Sequence, residues 1–352
     1  MSKLNKDYHD EVNIKNTVKL RELLNEFPDF CKLYFRGIEN NTASRTRLSY
    51  AYDLRVFFDF IKSHLPDYKD VNIKELKLEF LDKLTRQDIE AYMEYLSYYK
   101  NKEGKEYINL ERGKARKLAS LRSFYNYYFT SELITRNVAA LVSTPKKHEK
   151  EIIRLDSDEV AKLIDIVEIG EQLTKKQQNY HSKNKIRDLA IIMLLLGTGI
   201  RVSECVGLDV NDVDFINCGI KIKRKGGYEA VVYFGDEVNE ALSAYMEKRE
   251  KIIPKSGHEK ALFISMQDTR LTVRAVENLV KKYSQIVTSL KNITPHKLRS
   301  TYGTSLYRNT GDIYLVADVL GHKDVNTTKK HYAAIEDERR KNAADIVKLR
   351  KK

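Results

Sequence analysis

The sequence predicts a mainly helical protein with a small β-hairpin in its C-terminal half, divided into two domains. Apolar residues recur at three- and four-residue spacing through most of the chain. Only 5 prolines and 15 glycines interrupt its 352 residues, so long helices are permitted almost everywhere. One polar stretch with a proline, residues 143–151 (STPKKHEKE), separates two helical blocks and reads as the linker. At 42% hydrophobic residues, a chain of this length can bury a core in each block.

In the first block a helix is expected over residues 44–64, where Leu48, Tyr52, Val56 and Phe57 recur at helical spacing among Arg45, Arg47 and Arg55, and Pro66 marks its end. A second starts near Thr85, an N-cap with Asp88 three residues on, and carries Ile89, Tyr92, Met93 and Leu96 into a core. Gly104 falls in the polar loop after it. Residues 111–129 (ERGKARKLASLRSFYNYYF) combine an apolar stripe of Leu118, Leu121, Phe124, Tyr125 and Tyr128 with Lys114, Arg116, Lys117 and Arg122. Such a helix packs on one side and offers the other either to phosphates or simply to water.

The second block opens with Asp156 as N-cap, Glu159 at the third helical position and Leu155 against Val160, a capping box with a hydrophobic staple. Residues 172–184 read as a polar loop. A buried helix over 187–196 ends at Gly197-Thr198-Gly199, and a short amphipathic helix follows over 201–207. Residues 219–223 and 228–234 alternate as strands around Lys225-Gly226-Gly227, a hairpin with a glycine turn. The remainder returns to helix, with one short strand expected at 261–264.

The net charge of +13 implies an anionic partner, and a long polyanion such as nucleic acid suits it better than a small acidic substrate. The 3 cysteines, Cys31, Cys205 and Cys218, lie far apart and outside any CxxC pattern, so they read as reduced thiols filling core space. Neither a disulfide framework nor a zinc site is expected. The N-terminus has no apolar signal region and residues 189–196 are too few to cross a bilayer, which makes a cytoplasmic protein the simplest reading.

Chemistry-bearing residues gather in the second block. Thr294 is a natural N-cap and Pro295 a natural first helical residue, which places His296 and Arg299 on one face of a first turn that already favours an anion. In Leu320-Gly321-His322, Gly321 ends a helix in the left-handed conformation and sets His322 just outside it. Tyr332 follows ten residues later, in a short helix begun by Asn326 or Thr327.

The ordered set GTGIRVSE with Arg201, RKGG with Lys225, HKLR with His296 and Arg299, LGH with His322, and then Tyr332 resembles the tyrosine recombinase, or phage integrase, family. The resemblance covers nearly everything after the first forty residues and is strongest to the Xer recombinases, in particular the single-recombinase kind. It implies a two-domain C-shaped clamp: an N-terminal extension over 1–25, a SAM-like core-binding domain over 26–145, a linker over 146–154, a catalytic domain over 155–334 and a tail over 335–352. Two departures stand out. Ser300 sits where the family often has a second histidine, and His331 precedes Tyr332 at nine residues from His322, a spacing at which many relatives place their tyrosine.

The implied activity is site-specific cleavage and rejoining of DNA through a 3′-phosphotyrosyl bond at Tyr332 and a Holliday junction, with no metal or cofactor, serving Xer-like chromosome dimer resolution. In this reading Arg201 and Arg299 clamp the phosphate, Lys225 is the general acid for the departing 5′-hydroxyl, His296 takes the tyrosyl proton or holds the phosphate, and His322 donates a further hydrogen bond to it. Glu204 supports Arg201 or forms an ordinary surface ion pair. Arg45, Arg47, Lys114, Lys117 and Arg122 are the expected DNA contacts of the first domain. The implied partners are double-stranded DNA with a specific recombination site, three further copies of the chain in a homotetramer, and a DNA translocase of the FtsK kind. The tail, with Ile335, Ala343, Ala344, Ile346 and Val347, docks either on the next subunit or on its own chain. An integrase or transposase of a mobile element, a type IB topoisomerase and a non-catalytic DNA-binding factor are the alternatives.

Overall fold

The apolar stripes of the first block are buried by packing helix against helix around an aromatic core. Residues 7–101, 103–146, 153–224, 226–322 and 324–325 are described by the computed structural model. The chain divides into two compact units, Met1–Glu149 and Lys150–Lys352. The first contains α1 (Tyr8–Leu24), α2 (Asp29–Gly37), α3 (Ser44–His64), α4 (Phe80–Lys83), α5 (Arg86–Tyr95), the antiparallel pair β1 (Tyr98–Lys100) and β2 (Glu106–Ile108), and α6 (Glu111–Thr130). Helix α3 occupies the span its periodicity predicts, and Leu54, Phe57, Phe58 and Ile61 from it join Leu118, Leu121, Phe124, Tyr125 and Tyr128 of α6 in one core. Thr85 and Asp88 form the foreseen reciprocal cap on α5, with the Thr85 N–H donating to Asp88 at 2.7 Å. Helix α1 places Leu20, Leu23 and Leu24 in the same core, so residues expected to be an extension are an integral helix of the unit.

Polar contacts then lock α3 to α6. Asp53 of α3 is buried and receives hydrogen bonds from Arg116, and from the Ser120 hydroxyl at 3.0 Å. Burial pushes its carboxyl above the usual carboxylate range, against the downward pull of Arg116 and Lys117.

The second unit comprises α7 (Ser157–Ile169), α8 (Lys175–Thr198), α9 (Val202–Gly207), strands β3 (Val213–Asp214), β4 (Gly219–Lys223) and β5 (Glu229–Tyr233), then α10 (Asp236–Arg249), α11 (Val273–Val287), α12 (Pro295–Thr310) and α13 (Ile313–Leu320). The hairpin forms as predicted, with Ile220 opposite Val232, and β3 extends it to an antiparallel order β3-β4-β5. At two residues, β3 is too short to carry an alternating pattern.

Two expectations are corrected. The polar stretch 172–184 is mostly helix: Gln172 turns the chain in the left-handed region (φ 63°), and Thr174 with Gln177 caps α8, which runs unbroken into the apolar segment. Its polarity marks a solvent-facing first half, where only His181 turns inward to bond the Val167 carbonyl at 2.8 Å. The strand expected over 261–264 is reduced to isolated bridges, Asp209 with Ala261 and Ile264 with Arg270, because no partner strand runs alongside it. Asp188 on α8 is another buried anchor, reached by the Tyr283 hydroxyl at 2.9 Å, Lys282 at 3.2 Å and Arg187 at 2.8 Å.

Cys31 and Cys205 fill core space as predicted, whereas Cys218 is only half-buried. Burial alone pushes the Cys205 thiol up to about 12 and raises Cys31 well above the ordinary range. A thiol reagent at neutral pH is therefore expected to label Cys218 alone in the native protein, and all three after denaturation. Rapid native labelling of Cys31 or Cys205, read by peptide mass, would contradict this packing. Among the described residues no helix is long and apolar enough to cross a membrane.

Candidate active site

Four segments of the second unit meet at the C-terminal end of α13, and the reason is the helix itself. A helix leaves its last carbonyls without partners and carries partial negative charge at that end, so it collects cationic donors. Gly321 closes α13 in the left-handed conformation (φ 62°), with the Gly321 N–H donating to the Asp318 carbonyl at 2.8 Å and the His322 N–H to that of Ala317 at 2.8 Å. This double cap throws residue 322 off the helix at a defined point.

Guanidinium groups gather on the last carbonyls of the helix. Arg299 is 5% exposed; it donates to the Gly199 carbonyl at 2.6 Å and to the Leu320 carbonyl. Arg201 donates to the next carbonyl, that of Gly321, at 3.3 Å. Arg224 donates to the two before, Asp318 at 3.2 Å and Val319 at 2.8 Å. Successive carbonyls 318 to 321 are thus capped by three arginines from three separate segments.

Local sequence explains each placement. Gly199 ends α8 in the left-handed region (φ 62°), where a Cβ would lie 2.4 Å from the Tyr302 ring, so only glycine lets α12 approach and exposes the carbonyl that Arg299 binds. Arg201 is the N-cap residue of α9, and Glu204 one turn on is 4% exposed. The Glu204 carboxylate accepts the Arg201 N–H at 2.8 Å and its guanidinium at 2.7 Å. It is a buried brace for Arg201, not a surface pair. Replacing Glu204 with Ala is expected to cost about 2 kcal/mol of stability and at least about tenfold in DNA cleavage, with Gln recovering part of both. Melting curves and single-turnover assays check this; cleavage untouched by Ala would mean Arg201 holds itself in place.

Helix α12 starts as predicted at Thr294-Pro295, although the Thr294 hydroxyl makes no capping bond and its carbonyl instead accepts the Lys297 N–H at 2.7 Å. His296 is exposed on the first turn, and Ser300, in the place of the second histidine, donates to the His296 carbonyl at 3.1 Å. The structure therefore brings Arg201, Arg299 and the His322 cap together around one peptide, with His296 a turn before Arg299. Lys225, Tyr332, His331, the helix expected from Asn326 or Thr327 and the tail lie outside the described residues. The part Arg224 plays in capping α13 has no signal in the sequence beyond its place beside Lys225 in RKGG. Among the described residues no His, Cys, Asp and Glu side chains gather in a set of three or more able to hold a metal ion.

In the first unit the expected DNA contacts divide. Arg45 is exposed on α3. Arg47 is 7% exposed and held by Glu39, through its carbonyl at 2.8 Å and its carboxylate at 3.1 Å. Lys117 is also 7% exposed, donating to Asn109 at 2.9 Å, and burial lowers its pKa. Arg122 binds the Thr144 hydroxyl at 2.8 Å and the carbonyls of Ala139 and Val142, and Lys114 reaches the Ser97 hydroxyl at 2.6 Å. Arg47, Lys117 and Arg122 are thus engaged by the fold where phosphate contacts were expected: Arg47 and Lys117 are buried cations that need the oxygens around them, and the half-buried Arg122 ties α6 to the 139–144 segment. Arg116, half exposed, is likewise held, by the Ser49 hydroxyl at 2.8 Å and by Asp53.

Residues 153–339 match the phage integrase family. The chain belongs to that family. It is 32% identical over 356 residues to the tyrosine recombinase XerS of Streptococcus uberis, covering 93% of this chain and 97% of that one. Against the tyrosine recombinase XerD of Oceanobacillus iheyensis it is 30% identical, covering 84% and 90%. Among solved structures, the XerH recombinase bound to a palindromic difH substrate shares the fold at a TM-score of 0.65 and 18% identity, covering 98% of each chain. A lambda integrase dimer bound to a core site aligns at 0.58 and 17% identity, covering 85% of this chain and 75% of that one. The mainly helical fold with small antiparallel sheets is thus the family's fold.

Proposed function

We propose that this chain is a Xer-type tyrosine recombinase that cleaves and rejoins DNA at a specific site through a phosphotyrosyl intermediate at Tyr332, in the service of chromosome dimer resolution. The observation that carries this reading is the convergence of Arg201 and Arg299 on the adjacent carbonyls of Gly321 and Leu320, beside His322.

Breaking a phosphodiester in this way needs a nucleophile, cations on the non-bridging oxygens and a proton for the leaving oxygen. Arg201 and Arg299 are planar donors that stay charged and bind phosphate through paired hydrogen bonds, and both donate to neighbouring carbonyls at the end of α13. His296 accepts the Tyr332 phenolic proton, and His322 donates a further hydrogen bond to the phosphate. The Tyr332 oxygen attacks phosphorus, the P–O5′ bond breaks, and Lys225 protonates the departing O5′. Since the phosphotyrosine keeps the bond energy, a new 5′-hydroxyl reverses the step without nucleotide hydrolysis. Four copies acting on two sites, a DNA translocase as regulator and a cytoplasmic location belong to the same reading.

The test is a nicked suicide substrate, from which the 5′ product diffuses away after cleavage. A covalent adduct on a denaturing gel, mapped to Tyr332 by peptide mass, is the expected result. No adduct, or one on another side chain, removes the proposal.

A further inference from the structure

We infer that Arg224 is a positioning residue for the general acid, tying the hairpin that carries Lys225 to the helix end that carries His322. The inference rests on the reading of Lys225 as the proton donor. Arg224 is where the hairpin turn closes: its N–H donates to the Tyr228 carbonyl at 2.7 Å and its carbonyl accepts the Gly227 N–H at 3.0 Å. Its side chain leaves the sheet altogether and spans to α13, donating to the Asp318 and Val319 carbonyls at 3.2 and 2.8 Å. One residue therefore sets both the start of the turn and its distance from the site.

One further feature indicates that this bridge does more than fill space. A Cβ on Gly321 would fall 1.5 Å from the Arg224 Nη1, so the guanidinium lies against the very residue that aims His322. The turn beyond Arg224 contains Gly226 (φ 100°) and Gly227 (φ 85°), which favour no single course for the chain. Without a fixed root, such a turn would deliver Lys225 to the phosphate only part of the time. Proton transfer requires the donor within hydrogen-bond reach of the leaving oxygen, so looseness at the root appears directly in the rate.

The leaving group separates this role from a structural one. In ordinary DNA the P–O5′ bond breaks and the departing oxygen takes a proton from Lys225. In a substrate whose scissile 5′-oxygen is replaced by sulfur, the P–S bond breaks and a thiolate leaves unprotonated, since a thiol pKa lies near ~8.5. Arg224→Ala is expected to slow single-turnover cleavage of ordinary DNA by at least about tenfold more than it slows cleavage of the sulfur substrate, any slowing common to both reading the disturbance at His322. Arg224→Lys, which can reach one carbonyl, should show the same difference at a smaller size; it carries the same comparison should the alanine variant fail to fold. Equal slowing of R224K or R224A on both substrates, or no slowing on either, overturns the proposal. Lys225→Ala is the reference. If sulfur rescues K225A and not the Arg224 variants, only the positioning role is lost; if it does not rescue K225A, the general-acid reading falls and this inference with it.

Discussion

Tyr332→Phe is expected to bind recombination-site DNA as the wild type does and to form no covalent adduct at all. The phenol supplies the only atom that bonds to phosphorus in the proposed step, so its removal leaves the arginine clamp intact and stops the reaction. A mobility-shift titration paired with a suicide-substrate gel reads both quantities on one preparation. Adduct formation persisting in the variant would place the nucleophile elsewhere, and recombination persisting without an adduct would favour a non-catalytic DNA-binding factor. Free tyrosine titrates near ~10, so the cations at the site must do part of the activation, which leads to the second expectation.

Arg299→Ala is expected to damage both chemistry and fold. In the folded chain this guanidinium satisfies the Gly199 and Leu320 carbonyls from a buried position. Losing it leaves both without their donor, at about 1–3 kcal/mol for each buried polar group, so the melting temperature should drop clearly. Cleavage, assayed well below that temperature, should fall by about 10²–10³, the range for deleting a main oxyanion donor. Arg299→Lys retains the charge but not the fork that reaches two carbonyls, and should recover stability only partly and activity little. If a folded R299A variant cleaves within about tenfold of wild type, the residue is a fold element and the clamp must be rebuilt around Arg201.

The two arginines illustrate why some roles can be read in order along a chain and others cannot. Gly199 and Gly321 were legible because a left-handed helix end favours glycine whatever surrounds it. Helix α3, the cap at Thr85 and the hairpin around Gly226 and Gly227 were legible for the same kind of reason, since each depends on residues within a few positions of one another. The first half of α8 was not: a polar helix whose exposed face outweighs its buried one has the composition of a loop, and only the cap at Thr174 marks its start. The short segment at 261–264 has strand-like residues, but a strand exists only where another backbone runs beside it.

The basic residues of the first unit make the same point about function. Arg47, Lys117 and Arg122 carry the same charge as Arg45 and Arg116, and charge is all that composition records. Which of them the fold holds, Arg116 among them, depends on Glu39, Asp53, Asn109 and the carbonyls of the 139–142 segment, which are distant in sequence from several of the cations they hold.

The helical class, the hairpin and the glycine-capped helix ends were legible in the sequence, because these follow from local propensity and from residue types in order. Only the tertiary structure decided that Arg201, Arg224 and Arg299 share the last carbonyls of one helix, and that Glu204 is buried behind Arg201. Unsatisfied carbonyls attract whichever cations the packing brings within about 3 Å, and that distance is set by the whole fold rather than by neighbours in the chain.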